Sequence, residues 1–164
     1  MSTPTTSGSR KNLSSLRSKD TLHCLLLPLQ DSRMLLPNTA VAEVIGYSLP
    51  QPQDGAPDWF LGYIDWRDIR VPLLSFEIFT GEGGQVAGAK RIAVLNTLNG
   101  NPRLPYLAIP LQGIPQLRLV TEAALADART DADTEGIAAR IELGDERVLV
   151  PDLDWLEQRL LPEL

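Results

Sequence analysis

The chain has 164 residues, of which 43% are apolar and 22% are charged, a balance typical of one globular domain. Its formal net charge of -6 argues against a protein that holds nucleic acid or an anionic membrane by bulk attraction. The longest apolar run, from Cys24 to Leu29, is far shorter than the roughly 20 residues that a membrane-spanning helix needs. With one cysteine, intramolecular disulfides and thiolate-rich metal sites are excluded, and a reducing cytoplasm is the expected compartment.

Residues 1–20 differ in composition from the rest of the chain. They are rich in Ser and Thr, carry four basic residues against one acidic residue, and hold only Leu13 and Leu16 as large apolar groups beyond Met1. Such a segment cannot bury enough apolar surface to fold. We therefore expect a disordered N-terminal arm before a single folded domain at 21–164. The Arg and Ser content of the arm also suits an organelle transit peptide, although no amphipathic face is visible.

The folded part reads as a series of short strands. An apolar run followed by a polar turn indicates a hairpin at its start, and residues 137–143 alternate in the manner of a half-buried strand. Near the end, Asp152 or Asp154 can cap a short helix. Strands are expected at 22–29, 34–36 and 41–45, on both sides of a turn at 65–70, and at 91–98, 106–111, 137–143 and 147–150, with the helix at 153–161.

A glycine-rich segment divides this series of strands. Four glycines between 81 and 88 predict a flexible joint. We therefore place one subdomain at about 21–80 and the other at about 90–164, with chain ends able to cross over between them. About eight to ten short strands with little helix favour a mainly β fold with two small barrels.

Residues with catalytic potential are few. His23 directly precedes Cys24 in a predicted strand, where neighbours point to opposite faces and cannot form a catalytic pair. We expect Cys24 to be a small core residue. The glycine-rich segment does not have the lysine and the hydroxyl residue at the positions that a phosphate-binding loop requires. The carboxylate pair Asp65 and Asp68 keeps an enzyme open as an alternative, but we expect none.

An acidic stretch matches part of a calcium-binding loop. Asp131, Asp133, Glu135, Gly136 and Glu142 fall on positions 1, 3, 5, 6 and 12 of such a loop. In a helix-loop-helix site a helix follows the last ligand, whereas the residues after Glu142 read as a turn and a strand. We therefore expect a solvated acidic loop and no metal site.

Five short motifs follow one another along the chain. They are V-A-E-V-I-G-Y at 41–47, G-Y-I-D-W-R-D at 62–68, V-P-L-L at 71–74, R-I-A-V-L at 91–95 and G-D-E-R-V-L-V at 144–150. Their order and spacing resemble the CheW family, whose members couple chemoreceptors to the histidine kinase CheA in bacterial chemosensory arrays. The resemblance covers nearly all of the expected domain.

The chain also departs from the family pattern. Asp65 stands for the usual Asn, Trp66 for Leu, Asp68 for Gly and Gln112 for Asp. Such departures resemble the ChpC-like members of the family, which belong to the chemosensory pathway that controls type IV pili and twitching motility. We therefore expect a divergent CheW-like protein that acts in this pathway, which is a two-component signal transduction system.

The resemblance implies both a fold and a function. The family fold is two five-stranded SH3-like β-barrels around a shared apolar seam, here with a short C-terminal helix. It places receptor contact in the groove between the barrels, kinase contact on the barrel surfaces, and end-to-end contact with CheW-like homologues. We expect a non-catalytic cytoplasmic adaptor at membrane-associated receptor arrays, coupling the signalling tip of a methyl-accepting chemoreceptor to the regulatory domain of a CheA-like kinase. No cofactor, nucleic acid or membrane insertion is expected.

Eight residues in or near the first two motifs are candidate partner-binding residues. They are Val41, Glu43, Val44, Trp59, Gly62, Asp65, Trp66 and Arg67. The guanidinium of Arg67 offers its donors to carboxylates or carbonyls of a partner, but an internal salt bridge to Asp65, Asp68 or Glu43 is an open alternative. The two valines can equally be core residues. The tryptophans can anchor a partner, because aromatic residues are enriched in binding hot spots.

One alternative function stays open from the sequence. A stand-alone β-barrel module that binds a ligand or another protein outside chemotaxis is compatible with the same composition and strands. Native mass spectrometry of the purified protein separates the two, because a ligand-binding module would carry a small molecule.

We predict that the arm contributes nothing to the core, because it has too few apolar groups. Deleting residues 1–20 is expected to leave the melting temperature nearly unchanged in a thermal melt followed by circular dichroism. A loss of several degrees would show that the arm packs against the domain.

Overall fold

The structure is a computed structural model that describes residues 21–83, 86–126, 128–130 and 134–164. The expected N-terminal arm therefore lies outside the described residues. Within the described ranges, no helix is long and apolar enough to cross a membrane. The same ranges contain eleven strands and three short α-helices, which makes the fold mainly β.

The elements occur in two similar series. The first series is β1 (Thr21–Pro28), β2 (Arg33–Pro37), β3 (Val41–Gly46), β4 (Phe60–Trp66), β5 (Ile69–Leu74) and helix α1 (Phe76–Thr80). The second is β6 (Arg91–Asn96), β7 (Tyr106–Leu111), β8 (Gln116–Thr121), helix α2 (Glu122–Ala126), β9 (Arg129–Thr130), β10 (Ile137–Leu143), β11 (Glu146–Pro151) and helix α3 (Leu153–Leu160). Short 3₁₀ turns lie at Asn38–Ala40 and Leu161–Glu163.

The strands form two sheets. The first sheet has the order β8-β1-β2-β11-β10-β9 and the second has the order β3-β6-β7-β5-β4. Strand β9 has only two residues, so each sheet has five longer strands. The expected mainly β fold with two five-stranded units and a short C-terminal helix is confirmed.

The two sheets share one topology and exchange a hairpin. When β1 to β5 are matched in order with β6, β7, β8, β10 and β11, both sheets show the same strand order. Each series gives its first hairpin to the sheet that the other series completes. The segment 81–88 therefore leads from α1 to β6 and is not the boundary between the sheets, because the chain ends cross over.

This exchange creates three apolar cores. Each sheet encloses its own core, and the strands β1, β2, β6 and β7 turn their other face to a seam shared by both sheets. In β1, for example, Cys24 and Leu26 lie in the core of the first sheet while Leu27 lies in the seam. Burial on both faces explains why residues 22–29 form a nearly continuous apolar run instead of an alternating one.

The structure also decides between two interpretations of residues 137–143. They form β10, in which Ile137 and Ile141 are buried and Ala138 and Glu142 are exposed, so the strand prediction is confirmed. The candidate calcium ligands Asp131 and Asp133 lie outside the described residues. A turn and β11 follow β10, in place of the helix that a helix-loop-helix site requires after its last ligand. The cap of α3 is Asp152, whose side chain accepts a hydrogen bond from Trp155 N.

A buried carboxylate on α1 is hydrogen-bonded to a turn of the first sheet. Glu77 is 5% exposed, and its carboxylate accepts hydrogen bonds from the backbone N–H groups of Gln30 and Asp31 and from the hydroxyl of Ser32. These three residues form the turn between β1 and β2. Because α1 directly follows β5 of the second sheet, this carboxylate connects the two sheets.

A second buried carboxylate makes the reciprocal connection. Glu157 on α3 is 1% exposed and accepts hydrogen bonds from Leu98 N at 3.0 Å, Asn99 N at 3.3 Å and Asn99 Nδ2 at 3.1 Å. These donors lie between β6 and β7 of the second sheet, whereas α3 follows β11 of the first. Helices α1 and α3 therefore each accept hydrogen bonds from a hairpin connection of the sheet to which the strand before the helix does not belong.

We predict that Glu157→Ala lowers the free energy of unfolding by about 2 to 4 kcal/mol, because it leaves buried donors without an acceptor. Urea unfolding followed by tryptophan fluorescence measures the change. Glu135→Ala is the matched control, since Glu135 is 71% exposed in its ion pair with Arg159 and such a pair contributes about 0 to 1 kcal/mol. Equal losses in both variants would contradict a stabilising role for Glu157.

Candidate partner-binding site

Three of the candidate residues meet at one carboxylate. Oε1 of Glu43 on β3 accepts a hydrogen bond from Trp66 Nε1 at 3.1 Å and another from Arg67 Nη2 at 2.9 Å. Trp66 ends β4 and is 6% exposed, and its ring meets the Tyr106 ring edge-on at 4.8 Å. The internal salt bridge is thus the interaction that the structure gives Arg67, with Glu43 as its partner.

These contacts close the second sheet into a barrel. Strands β3 and β4 are its two outermost strands, so they would lie far apart in a flat sheet. Side chains from both edges meet at Glu43, which requires the sheet to curl until its edges approach. Glu43 therefore has a structural role in addition to any role at an interface.

The first sheet carries a corresponding pair with the charges reversed. Arg118 on its edge strand β8 lies 3.4 Å from Glu146, the residue that follows the turn between β10 and β11. Glu146 also pairs with Arg33 at 2.8 Å. In the second sheet the acidic residue is on the edge strand and the basic residue is in the turn, whereas in the first sheet the basic residue is on the edge strand and the acidic residue begins β11.

The turn that carries Arg67 has an unusual backbone. Arg67 and Asp68 have φ angles of 50° and 61°, the left-handed conformation of a two-residue hairpin turn. Asp adopts this conformation more readily than most residues do, which accounts for Asp68 where the CheW pattern has Gly. The Arg67 guanidinium lies 4.7 Å from the centre of the Trp66 ring, and its side chain stays 66% exposed.

The two valines on β3 face the shared seam. Val41 and Val44 are half-buried and pack against the seam core, and a bulge at Ala42 separates them in the ladder. The 3₁₀ turn before β3 contacts β1 of the first sheet, so β3 begins next to the other sheet. The valines therefore lie where the seam reaches the surface.

Two leucines that the sequence analysis did not single out lie on the other edge of the seam. Leu117 and Leu119 on β8 are each 60% exposed. Leu117 lies opposite Leu25 of β1, whose side chain packs against the seam core, so both leucines point to the seam side of the first sheet. The strands expected from the sequence do not include β8, and nothing in residues 116–121 signals that the apolar face of this strand is exposed.

Two other candidates lie apart from this group and have packing roles. Trp59 stacks on Phe79 of α1 at 3.9 Å, and Phe79 in turn lies 4.7 Å from Trp155 of α3. Gly62 has a φ of 132°, and a Cβ there would lie 2.3 Å from the backbone oxygen of Gln51.

Asp65 is the remaining partner-binding candidate, and His23 and Cys24 are the residues considered for catalysis. Asp65 is exposed on β4 opposite Arg70, whose guanidinium lies over the Tyr63 ring at 4.1 Å. His23 is exposed, whereas Cys24 is buried in the core of the first sheet. Burial raises the pKa of the Cys24 thiol, which agrees with the prediction of an unreactive core residue.

The chain is similar to known proteins in both sequence and fold. The family model described as a CheW-like domain matches residues 23–159. The chain belongs to the CheW-like family. A solved structure of the scaffolding protein TtCheW from Thermoanaerobacter tengcongensis superposes with a TM-score of 0.66 at 13% identity and covers 82% of this chain and 90% of that chain. No curated protein matches the chain.

The match agrees with the architecture described above. At 13% identity the likeness to TtCheW shows a shared CheW fold. The matched range 23–159 contains both hairpin-exchanged sheets and nearly all of α3. The expectation of a CheW-like fold is therefore confirmed, and the eight partner-binding residues stay predictions.

We predict that Gly62→Ala lowers the free energy of unfolding by about 2 to 4 kcal/mol, because it adds backbone strain and a clash with Gln51. Urea unfolding measures the effect. Gly46→Ala on β3 is the control, since its Cβ would meet no atom within 4 Å and is expected to change stability by less than about 1 kcal/mol. A loss in Gly62→Ala no larger than in the control would show that the segment at Gln51 moves away freely.

Proposed function

We propose that this protein is a non-catalytic adaptor that couples a chemoreceptor to a CheA-like histidine kinase in a bacterial chemosensory array. Membership of the CheW-like family supports this function. The observation that carries the proposal is the pair of edge strands at the seam, which presents an exposed apolar surface beside an exposed ion pair. An adaptor needs separate surfaces that two partners can occupy together, and the two barrels provide them.

The apolar surface is the proposed receptor site. We propose that Val41 and Val44 on β3 form one edge of it and that Leu117 and Leu119 on β8 form the other. Burying an exposed leucine side chain stabilises a complex by about 1.5 to 3 kcal/mol, so a partner that covers both leucines gains substantial affinity. The receptor signalling tip is the occupant that the family resemblance favours.

The hairpin turn at the end of β4 is the proposed kinase contact. Arg67 is 66% exposed in its ion pair with Glu43, and such a pair contributes only about 0 to 1 kcal/mol to folding. Its guanidinium can therefore leave Glu43 and pair with a carboxylate of a partner at a small cost in folding free energy. Trp66 keeps Glu43 in position through its indole N–H, and Asp65 adds an exposed charge beside the turn.

The pathway is proposed from the departures from the family pattern. Trp66 supplies a donor to Glu43 that the usual leucine lacks, and Asp68 holds a left-handed turn position. Gln112 donates hydrogen bonds to Gln30 Oε1 at 2.7 Å and to the carbonyl oxygen of Ala87 at 3.1 Å. Because three of the four departures have a structural partner or role, we propose a ChpC-like member acting in the cytoplasm in the control of type IV pili and twitching motility.

Two substitutions that introduce a negative charge test the two surfaces separately. We predict that Leu119→Glu weakens binding of a receptor signalling-tip fragment, and that Arg67→Glu weakens binding of the kinase regulatory domain, each by about tenfold or more. Isothermal calorimetry measures both affinities, and thermal melts confirm folding. Leu49→Glu and Arg103→Glu are the controls, because Leu49 is 86% exposed in a loop outside these surfaces and the Arg103 side chain is exposed, with a bond to the carbonyl oxygen of Leu164.

The outcomes separate the proposals. Normal receptor binding by Leu119→Glu would place the receptor elsewhere, and normal kinase binding by Arg67→Glu would leave Arg67 as a structural residue. If the unaltered protein binds neither partner, the adaptor function is wrong and the stand-alone module is favoured.

A further inference from the structure

A cavity of about 660 Å³ opens beside the last three strands of the first sheet. Arginines from three consecutive strands line it, namely Arg129 of β9, Arg140 of β10 and Arg147 of β11. Leu149, which lies opposite Arg140 in the ladder, is an apolar lining residue on the same face. The volume is within the range of small-ligand sites, about 300 to 1,000 Å³.

The strand register places these charges on one face. Arg129 lies directly opposite Arg140, and Glu142 lies directly opposite Arg147. Facing residues in an antiparallel ladder point the same way, as do residues two apart, so all four side chains share one side of the sheet. Like charges directly opposite each other are destabilising, and a bound anion would relieve the repulsion.

The carboxylates nearby do not engage the three arginines equally. Arg140 lies 2.7 Å from Glu82, whereas Arg147 lies 3.9 Å from Glu142 in a pair whose side chains are 90% and 76% exposed. Among the described residues, no carboxylate lies within 4 Å of Arg129. The guanidinium groups of Arg129 and Arg147 are therefore the ones available to bind a ligand.

We propose that this cavity binds a small molecule bearing an oxyanion, either a phosphate or a carboxylate group. A planar guanidinium matches the oxygens of both groups and forms charge-assisted hydrogen bonds in pairs. Arg129 and Arg147 hold the oxyanion, with Leu149 as the apolar neighbour on the same face. None of the residues that line this cavity belongs to the proposed adaptor contacts, so the proposal does not depend on them.

The test is titration of the full chain with inorganic phosphate and, separately, with citrate, at constant ionic strength. Calorimetry and ¹H–¹⁵N spectra are expected to show saturable binding, and the tighter probe identifies the oxyanion class. Arg129→Gln and Arg147→Gln are each expected to weaken binding about tenfold, because each removes a charge-assisted contact. Arg103→Gln, which alters an exposed arginine elsewhere, is expected to bind normally.

Three results would overturn the proposal. One is the absence of saturable binding for both probes, and another is an equal loss in all three arginine variants, which indicates bulk charge. The third concerns Asp127, Asp131 and Asp133, which flank Arg129 in the sequence but lie outside the described residues. Binding that occurs only when these three are replaced by Asn would show that their carboxylates serve the arginines instead.

Discussion

Two buried carboxylates, Glu77 and Glu157, connect the sheets of this protein to each other. Each lies on a short helix that follows the last strand of one sheet, and each accepts hydrogen bonds from a hairpin connection of the other sheet. A buried carboxylate is costly unless it is fully hydrogen-bonded, so the helices and turns must keep one relative position. The orientation of the two barrels, and with it the shape of the seam, depends on this reciprocal arrangement.

The hairpin exchange determines where function can reside. Because the central residues of β1, β2, β6 and β7 are buried on both faces, they do not present side chains to a partner. Only the outer strands, the turns and the strand ends remain accessible. The apolar residues of β3 and β8 and the turn at Arg67 are accordingly the surfaces that we propose for partner binding.

The shared topology also distinguishes the two halves by charge. Each barrel has an ion pair that starts from its edge strand, but the polarity is reversed: Glu43 pairs with Arg67 in the β4–β5 turn, and Arg118 pairs with Glu146 at the start of β11. Glu43 and Arg118, at matching places on β3 and β8, therefore carry opposite charges. Complementary charge contributes more to the choice of partner and to the rate of association than to affinity, so this reversal gives the two barrels different preferences.

Local patterns in the sequence determined the family, the cap of α3 and the strands other than β8 and β9, which were not expected. Apolar runs, the alternation at 137–143 and the five motifs act over short distances, and Asp152 caps the adjacent turn. Only the tertiary structure decided which sheet each strand joins, because hairpin exchange depends on contacts between chain segments far apart. Glu77 and Glu157 reach partners 45 to 59 residues away, and no local pattern marks an acidic residue as buried. For the same reason the packing roles of Trp59 and Gly62 and the exposure of Leu117 and Leu119 emerged only from the fold, since burial is a property of neighbours in space.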